Sequence, residues 1–436
     1  MAPICRAVHT EIVNRMDFKT QGRRPVSRCD QLGVAPFSVD PQVLTRPYLT
    51  DAHKAALDAL RTWMTEAGMS VRIDPVGNMI GRYEGERPNA PALLIGSHID
   101  SVQNGGRYDG ALGVMLGVET VDAFARAGRR LPFAIEVIAF GDEEGSRFPA
   151  SMLCSGALAA GADPAALEAR DENGVTIAQA LTAFGLDPAK AGEARRAPGE
   201  ILAYVEPHIE QGPVLEAEDL PVGVVTGIAA QLRIKARFTG QAGHAGTSPM
   251  GLRRDAVAAA AAAILAVETV ATEGGPHLVG TVGRIIASTS AFNVIAGSCE
   301  IGIDLRAASR DVRNAAAARI RERIEAIAAE RNVGLEFTVV QDLPGSPSNE
   351  TLTELMAEAV GDVGVRPYRL MSGAGHDAMM LSSLCPTTML FIRCERGISH
   401  NPAETVRDDD VGVAALTMVA FVERLASAQA QLMAAQ

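Results

Sequence analysis

The sequence contains no CxxC pair, no basic cluster, no HExxH or HxxEH motif, and no uninterrupted apolar run near the ~18–20 residues that span a bilayer. Each absence removes a class of protein. The six cysteines, Cys5, Cys29, Cys154, Cys299, Cys385 and Cys394, are too scattered for a zinc ribbon, a thioredoxin-like centre or a disulfide framework. They point to a reduced, cytoplasmic protein. Forty Lys and Arg against 52 Asp and Glu leave a net charge of −12, which disfavours nucleic acid and anionic membranes as partners. The longest weakly polar stretch, Ala256 to Val267, is mostly alanine and follows Arg253-Arg254-Asp255, so it reads as a helix of a water-soluble domain. No period of 20–50 residues repeats.

A length of 436 residues suggests two to four domains, or one large domain carrying an insertion. Residues 1–30 are rich in basic side chains (Arg6, Arg15, Lys19, Arg23, Arg24, Arg28) but lack the apolar stretch of a secretory signal; they read as a disordered extension. From Thr50 to Gly68 apolar residues recur at helical spacing. Short apolar strands then alternate with helices: Ala92–Gly96 runs into Ser97-His98, a helix follows from about Leu112 to Ala127, and Phe133–Phe140 runs into Gly141-Asp-Glu-Glu-Gly145. That alternation predicts an α/β catalytic domain, its sheet flanked by helices, with ligands beyond the carboxyl ends of the strands. Between about 218 and 333 the pattern becomes strand–helix–strand–strand–helix, that of a small inserted α+β domain. The expected division is 31–217 with 334–436 for the catalytic domain and 218–333 for the insertion, with hinges near 217–222 and 333–336.

Of the eight histidines, His98, His208, His244, His376 and His400 lie in turns with Gly, Ser or Pro and other polar residues, whereas His9, His53 and His277 do not and read as surface residues. His98 and Asp109 are separated by Gly105-Gly106-Arg-Tyr-Asp109-Gly110, where glycine lets the chain fold back so that both side chains meet. Asp100, two residues after His98 in extended chain, shares its side and could fix its tautomer. Glu143 and Glu144 follow a buried strand. Adjacent carboxylates repel unless a cation holds one of them, and in extended backbone they diverge, so one can ligate a metal while the other faces water. Any one of these residues alone would read as a capped turn or a solvated loop; their coincidence points to a metal site.

Seven segments occur in order: Gly96-Ser-His-Ile-Asp-Ser101, Gly105-Gly-Arg-Tyr-Asp-Gly110, Asp142-Glu-Glu-Gly-Ser-Arg-Phe148, His208-Ile-Glu-Gln-Gly212, Gly243-His-Ala-Gly-Thr-Ser-Pro249, Ser372-Gly-Ala-Gly-His-Asp377 and Ile398-Ser-His-Asn-Pro-Ala-Glu404. Together they resemble the hydantoinase/carbamoylase branch of the M20 metallopeptidase superfamily, from about Asp30 to the C-terminus. That branch includes allantoate amidohydrolases, N-carbamoyl-L-amino acid hydrolases and β-ureidopropionases. The resemblance implies two divalent metal ions, with His98 and His208 as terminal ligands on separate ions, Asp109 bridging, and Glu144 and His400 completing the shells. It implies Glu143 as general base, His244, Asn293 and Arg306 as residues of a lid, and Gln211 and His376 at the substrate pocket. It also implies an inserted domain that closes over the metals and forms a homodimer. Cys154 stands where many relatives have glycine, which bears on the pocket wall.

Chemistry agrees with these roles. Two divalent ions ~3.5–4 Å apart can activate water and polarise the carbonyl it attacks. Imidazole and carboxylate donors suit zinc or manganese, with cobalt or nickel also able to bind. Glu143 would carry the proton to the leaving nitrogen, His244 would stabilise the oxyanion, and Arg306 would grip a substrate carboxylate unless Asp304 on the same strand face holds it. The expected activity is hydrolysis of the ureido C–N bond of a small carboxylate, with release of ammonia and carbon dioxide. Allantoate is the first expectation, because Arg147-Phe148-Pro149 after the acidic pair resembles allantoate amidohydrolases, and N-carbamoyl-L-amino acids the second. Aminoacylase or aminopeptidase chemistry, and a metal-stabilised binding protein, are the more distant readings.

Overall fold

A computed structural model describes residues 18–434. The chain divides into two units. The first holds the chain up to Thr226, Ser348–Leu370 and everything from Gly375; the second holds Gly227–Pro347 and Met371–Ala374.

The first unit begins with helix α1 (Phe18–Leu32) and helix α2 (Asp51–Glu66), the latter capped by the Thr50 hydroxyl accepting from the His53 amide. Strands β1 (Ser70–Ile73), β2 (Met79–Tyr83) and β3 (Ala92–His98) follow, then α3 (Ala111–Arg126), β4 (Ala134–Phe140), β5 (Ile201–Ile209) and β6 (Val222–Ile228). Every residue of β3 and β4 is buried, as expected for strands covered on both faces. The second unit contributes β7 (Ala230–Thr239), α4 (Ala256–Glu273), β8 (Leu278–Ala287), β9 (Ser298–Ala307), α5 (Arg310–Glu330) and β10 (Gly334–Leu343). The chain then returns to the first unit with α6 (Glu350–Asp362), β11 (Thr387–Ile392) and α7 (Asp408–Ala434).

The first unit's sheet runs β1-β2-β4-β3-β5-β11-β6. Strands β4, β3, β5 and β11 are mutually parallel, and β1, β2 and β6 extend the two sides antiparallel. The carboxyl ends of β3, β4 and β5 therefore open at one rim. The second unit is a four-stranded antiparallel sheet, β10-β7-β9-β8. Burial alternates along β9, and α4 and α5 close its inner face over Phe238, Ile301, Leu305, Ile320 and Val267. Arg313 is fully buried there, donating to the carbonyls of Gln231 and Leu343 at 2.7 Å and pairing with Asp342.

Three expectations are corrected. Residues 18–30 are not a disordered extension: α1 packs on α7, and Arg24 and Arg28 pair with Glu119 while Arg24 also reaches Asp122 on α3. Their partners lie more than ninety residues away, so no local pattern reveals them. At Gly22 an added Cβ would sit 1.7 Å from the Asp408 carbonyl, so glycine permits the helix contact. His9 and the rest of 1–17 lie outside the described residues. The unit boundaries also shift. Gly334–Leu343 pairs along its whole length with β7 and so belongs to the second unit, whereas Val222–Val225 pairs with β11 in the first. Finally, Ala256–Glu273 and Asp408–Gln429 have the length and hydropathy of membrane spans, a property of their average that an uninterrupted-run criterion does not register. Residues Ala259, Ala260, Ala263 and Val267 of the first are buried in their own unit's core, and the second is 78% buried.

Candidate metal centre

His98 ends β3, and in register beside it Phe140 ends β4, immediately before Gly141-Asp-Glu-Glu144. His208 lies near the end of β5 on the other side of β3. Parallel pairing thus brings both histidines and the acidic pair to one rim. Asp109 arrives from the glycine-rich turn before α3. Gly110 has φ +66°, and a Cβ there would lie 2.4 Å from the His98 ring, so glycine lets this turn close against the histidine. His400 comes from the segment between β11 and α7.

Five side chains converge. His208 Nε2 is 3.2 Å and His98 Nε2 3.8 Å from Asp109 Oδ1, and the two Nε2 atoms are 3.5 Å apart. His400 Nε2 lies 3.1 Å from Asp109 Oδ2 and 3.4 Å from Glu144 Oε1. His98, Asp109 and His208 form one donor group, Asp109, Glu144 and His400 a second, and His98 with Glu143 and Glu144 a third that overlaps both. Neighbouring parallel strands aim both rings at the same oxygen of Asp109, which puts His98 and His208 in one donor group where the resemblance implied ligands on separate ions.

The residues fit a cation. Asp109 Oδ1 is buried and makes no hydrogen bond, which is costly unless something positive faces it. With Nδ1–H of His98 donating to the Asp100 carbonyl (3.1 Å) and that of His208 to the Ile209 carbonyl (2.8 Å), both Nε2 lone pairs turn toward Asp109. The electrostatics match. Burial pushes Glu144 up to about 7, reinforced by Asp109, and burial likewise raises Glu143 well above the carboxylate range. The hydrogen bond to Asp109 lifts His400 to about 9. Asp109 is buried too, yet the histidines around it, His208, His400 and His98, hold it well below the usual range.

Asp100 does more than expected. Its Oδ1 lies 3.4 Å from His98 Nδ1, and its two oxygens accept from the backbone N–H of Glu143 (3.1 Å) and Glu144 (3.2 Å), so it fixes the histidine and the acidic pair together. Gln211 donates to Asp109 Oδ2 at 3.0 Å. His376, expected at the substrate pocket, is 1% exposed and packs edge-on to His208, ring centroids 4.5 Å apart.

His244, Asn293 and Arg306 all belong to the second unit. His244 is exposed and sits on a two-residue bridge pairing with Val294, while the Asn293 carbonyl accepts from Ala245, so these two lie side by side. Arg306 makes a bidentate pair with Asp304 (2.7 and 3.1 Å), the competitor that strand alternation indicated.

Other residues escaped the sequence reading. Glu404 and Ser399 link the Asp109 and His400 segments, and Glu206, fully buried, accepts from the Ser97 hydroxyl and the Ala378 amide. Glu404 closes a recognised motif, which was the available signal; Glu206 offers none beyond its position two residues before His208. His53 is wholly buried rather than on the surface: its Nδ1 accepts from the Leu49 amide and its ring stacks on Phe184. Cys154 is also buried, its thiol directed to the Val76 carbonyl. Arg147 is committed to the carbonyls of Tyr48 and Leu49 and to Asp171, and Phe148 is buried against Tyr48, so Arg147-Phe148 is structural.

Residues 94–424 match the model of peptidase family M20/M25/M40. The chain is 42% identical to an N-carbamoyl-L-amino acid amidohydrolase of Geobacillus stearothermophilus, over 94% of this chain and all of that protein. It is 38% identical to allantoate deiminase 1 of Glycine max, over 88% of this chain and 85% of that one. A solved amidase of the hydantoinase/carbamoylase family from Burkholderia multivorans superposes with a TM-score of 0.86 at 32% identity, covering 92% of this chain and 97% of that one.

Proposed function

The chain belongs to peptidase family M20/M25/M40, and from that premise we propose that it is a metal-dependent amidohydrolase cleaving the ureido C–N bond of a small carboxylate. The carrying observation is the convergence of His98, His208, His400 and Glu144 on Asp109 at one rim of the sheet, with Glu143 beside His98 and Glu144. His98, Asp109 and His208 would hold one divalent ion, and Asp109, Glu144 and His400 the second, zinc or manganese by donor chemistry. When bound, such a pair supplies Lewis acidity toward the scissile carbonyl and makes water acidic enough to attack at neutral pH.

The chain's own residues do the rest. Glu143, its backbone held by Asp100, takes the proton from the attacking water and returns it to the departing nitrogen. His244 donates to the oxyanion that develops at the carbonyl, and Asn293 beside it orients the ureido group. Arg306 receives the substrate carboxylate, which must compete with Asp304 for the guanidinium.

Within this class N-carbamoyl-L-amino acids stand ahead of allantoate. The 42% relationship to the Geobacillus enzyme covers that enzyme's whole length, and Arg147, which pointed to allantoate, is spent on backbone carbonyls and Asp171. A homodimer through the second unit is supported by large apolar side chains left exposed there: Met250 (77%), Leu252 (79%), Ile285 (58%) and Phe292, which is fully exposed. The five described cysteines, all free and buried, accord with a reducing cytoplasm.

The test is ammonia release with added manganese or zinc from N-carbamoyl-L-methionine, allantoate, an acetyl-amino acid and a dipeptide, with Glu143→Gln as control. Metal-dependent release from a ureido acid, falling ~10²–10⁴-fold in the variant, is expected. Turnover of the acetyl or peptide substrates alone would move the enzyme to aminoacylase or aminopeptidase chemistry.

A further inference from the structure

Glu404 lies four residues after His400 and is 4% exposed. A carboxylate removed from water is costly unless its oxygens are hydrogen-bonded. Here Oε1 accepts from the backbone N–H of Tyr108 (2.8 Å) and Asp109 (3.1 Å), and Oε2 from the Ser399 hydroxyl (3.0 Å). The same hydroxyl lies 3.1 Å from Asp109 Oδ2 and receives the Gln211 amide at 3.2 Å. An ordinary turn is capped by a neighbour; this one is capped from 295 residues away.

The sequence around the contact is shaped for it. A Cβ at Gly106 would lie 2.0 Å from the Glu404 carboxyl carbon, so glycine there leaves the space that the carboxylate fills. His400 itself has φ +54°, a left-handed conformation that a non-glycine residue holds only where its surroundings enforce it. The segment is tied down by Glu395 N–H to the Thr405 carbonyl (2.9 Å) and Ala403 N–H to Asn401 Oδ1 (2.9 Å), and Glu404 anchors it to the Asp109 turn.

We propose that Glu404 is a positioning residue for the metal centre: it clasps the segment bearing His400 to the turn bearing Asp109 and so assembles the donor group Asp109–Glu144–His400. The inference rests on reading that cluster as a metal centre. It carries an asymmetry. His98 and His208 are oriented by their own backbone partners, the carbonyls of Asp100 and Ile209, and owe nothing directly to Glu404. Asp109 is common to both groups, but only His400 depends on the clasp for its segment, so loss of the clasp weakens the ion held by Asp109, Glu144 and His400 more than the one between His98, Asp109 and His208.

The experiment titrates the full-length protein with manganese chloride, reading bound metal per subunit by mass spectrometry and affinity by calorimetry, with circular dichroism as the check on folding. Wild type is expected to take two ions. Glu404→Ala should keep the tighter ion and bind the second ~10–100-fold more weakly. Glu404→Gln, whose carbonyl still accepts from the two amides, should restore most of that loss, a rescue that a charge-only role would not produce. Ser399→Ala should give a smaller loss confined to the same ion, and it decides the question if Glu404→Ala does not fold. Unchanged second-ion affinity in a folded Glu404→Ala, or in Ser399→Ala when the former is unfolded, overturns the proposal, as does equal loss of both ions. A wild type that binds no divalent ion overturns instead the reading of the centre on which the proposal rests.

Discussion

The two units hold their polar residues in opposite ways. In the first, His98, Asp109 and His208 are at most 6% exposed and interlocked with Asp100, Gln211, Ser399 and Glu404. In the second, His244 and Asn293 are exposed, and a two-residue bridge and one further backbone hydrogen bond join their segments. Buried polar groups must be satisfied on every side, so the first arrangement has a single geometry, as metal ligands require. Exposed residues on a two-residue bridge carry little of the unit's stability and suit a group that meets its partner only when substrate arrives.

The sharpest test of that contrast is His244→Ala. It should lower kcat by ~10²–10³ while thermal midpoint and metal content stay at wild-type values. A drop in bound manganese would break the comparison by making His244 part of the buried set.

His53 probes the packing beneath the first unit's site. Burial pushes its pKa down to about 4, against about 6.5 in an unfolded chain. As pH falls, the unfolded chain takes up the proton first, so the stability contributed by neutral His53 is complete above about pH 6.5 and lost progressively toward pH 4. His53→Gln keeps an acceptor but does not titrate. Denaturant unfolding should show the wild-type-minus-variant stability rising by up to ~3 kcal/mol between pH 4 and 6.5. A difference independent of pH would mean that the ring protonates without opening the packing.

Asp100→Asn is expected to have the smallest effect of the three and the one most confined to the centre. One of the Glu143 and Glu144 amides loses its acceptor, so manganese affinity should fall ~10–100-fold, read by calorimetry. An Asn variant with wild-type affinity would reduce Asp100 to a fold residue.

What could be read without a structure followed the reach of local chemistry. The strand running into Ser97-His98, the glycine turn delivering Asp109, and the acidic pair after β4 are all short-range patterns, and the structure brings them together at one rim. Arg24 and Arg28 failed the same reading because a basic stretch looks solvated until Glu119 is seen across from it. His53 failed because it lies in a helix, with no Gly-, Ser- or Pro-bearing turn to mark it, although its ring fills space against Phe184. Gly334–Leu343 was assigned to the wrong unit because strand partners cannot be counted along a chain.

By itself, then, the sequence determined which residues could bear the chemistry and the order in which the strands present them, since both depend on residue type and spacing. Tertiary structure alone decided that His98 and His208 share one oxygen of Asp109 and that Glu404 ties together two segments 295 residues apart. These are distances between side chains, and a distance between side chains exists only once the backbone has closed.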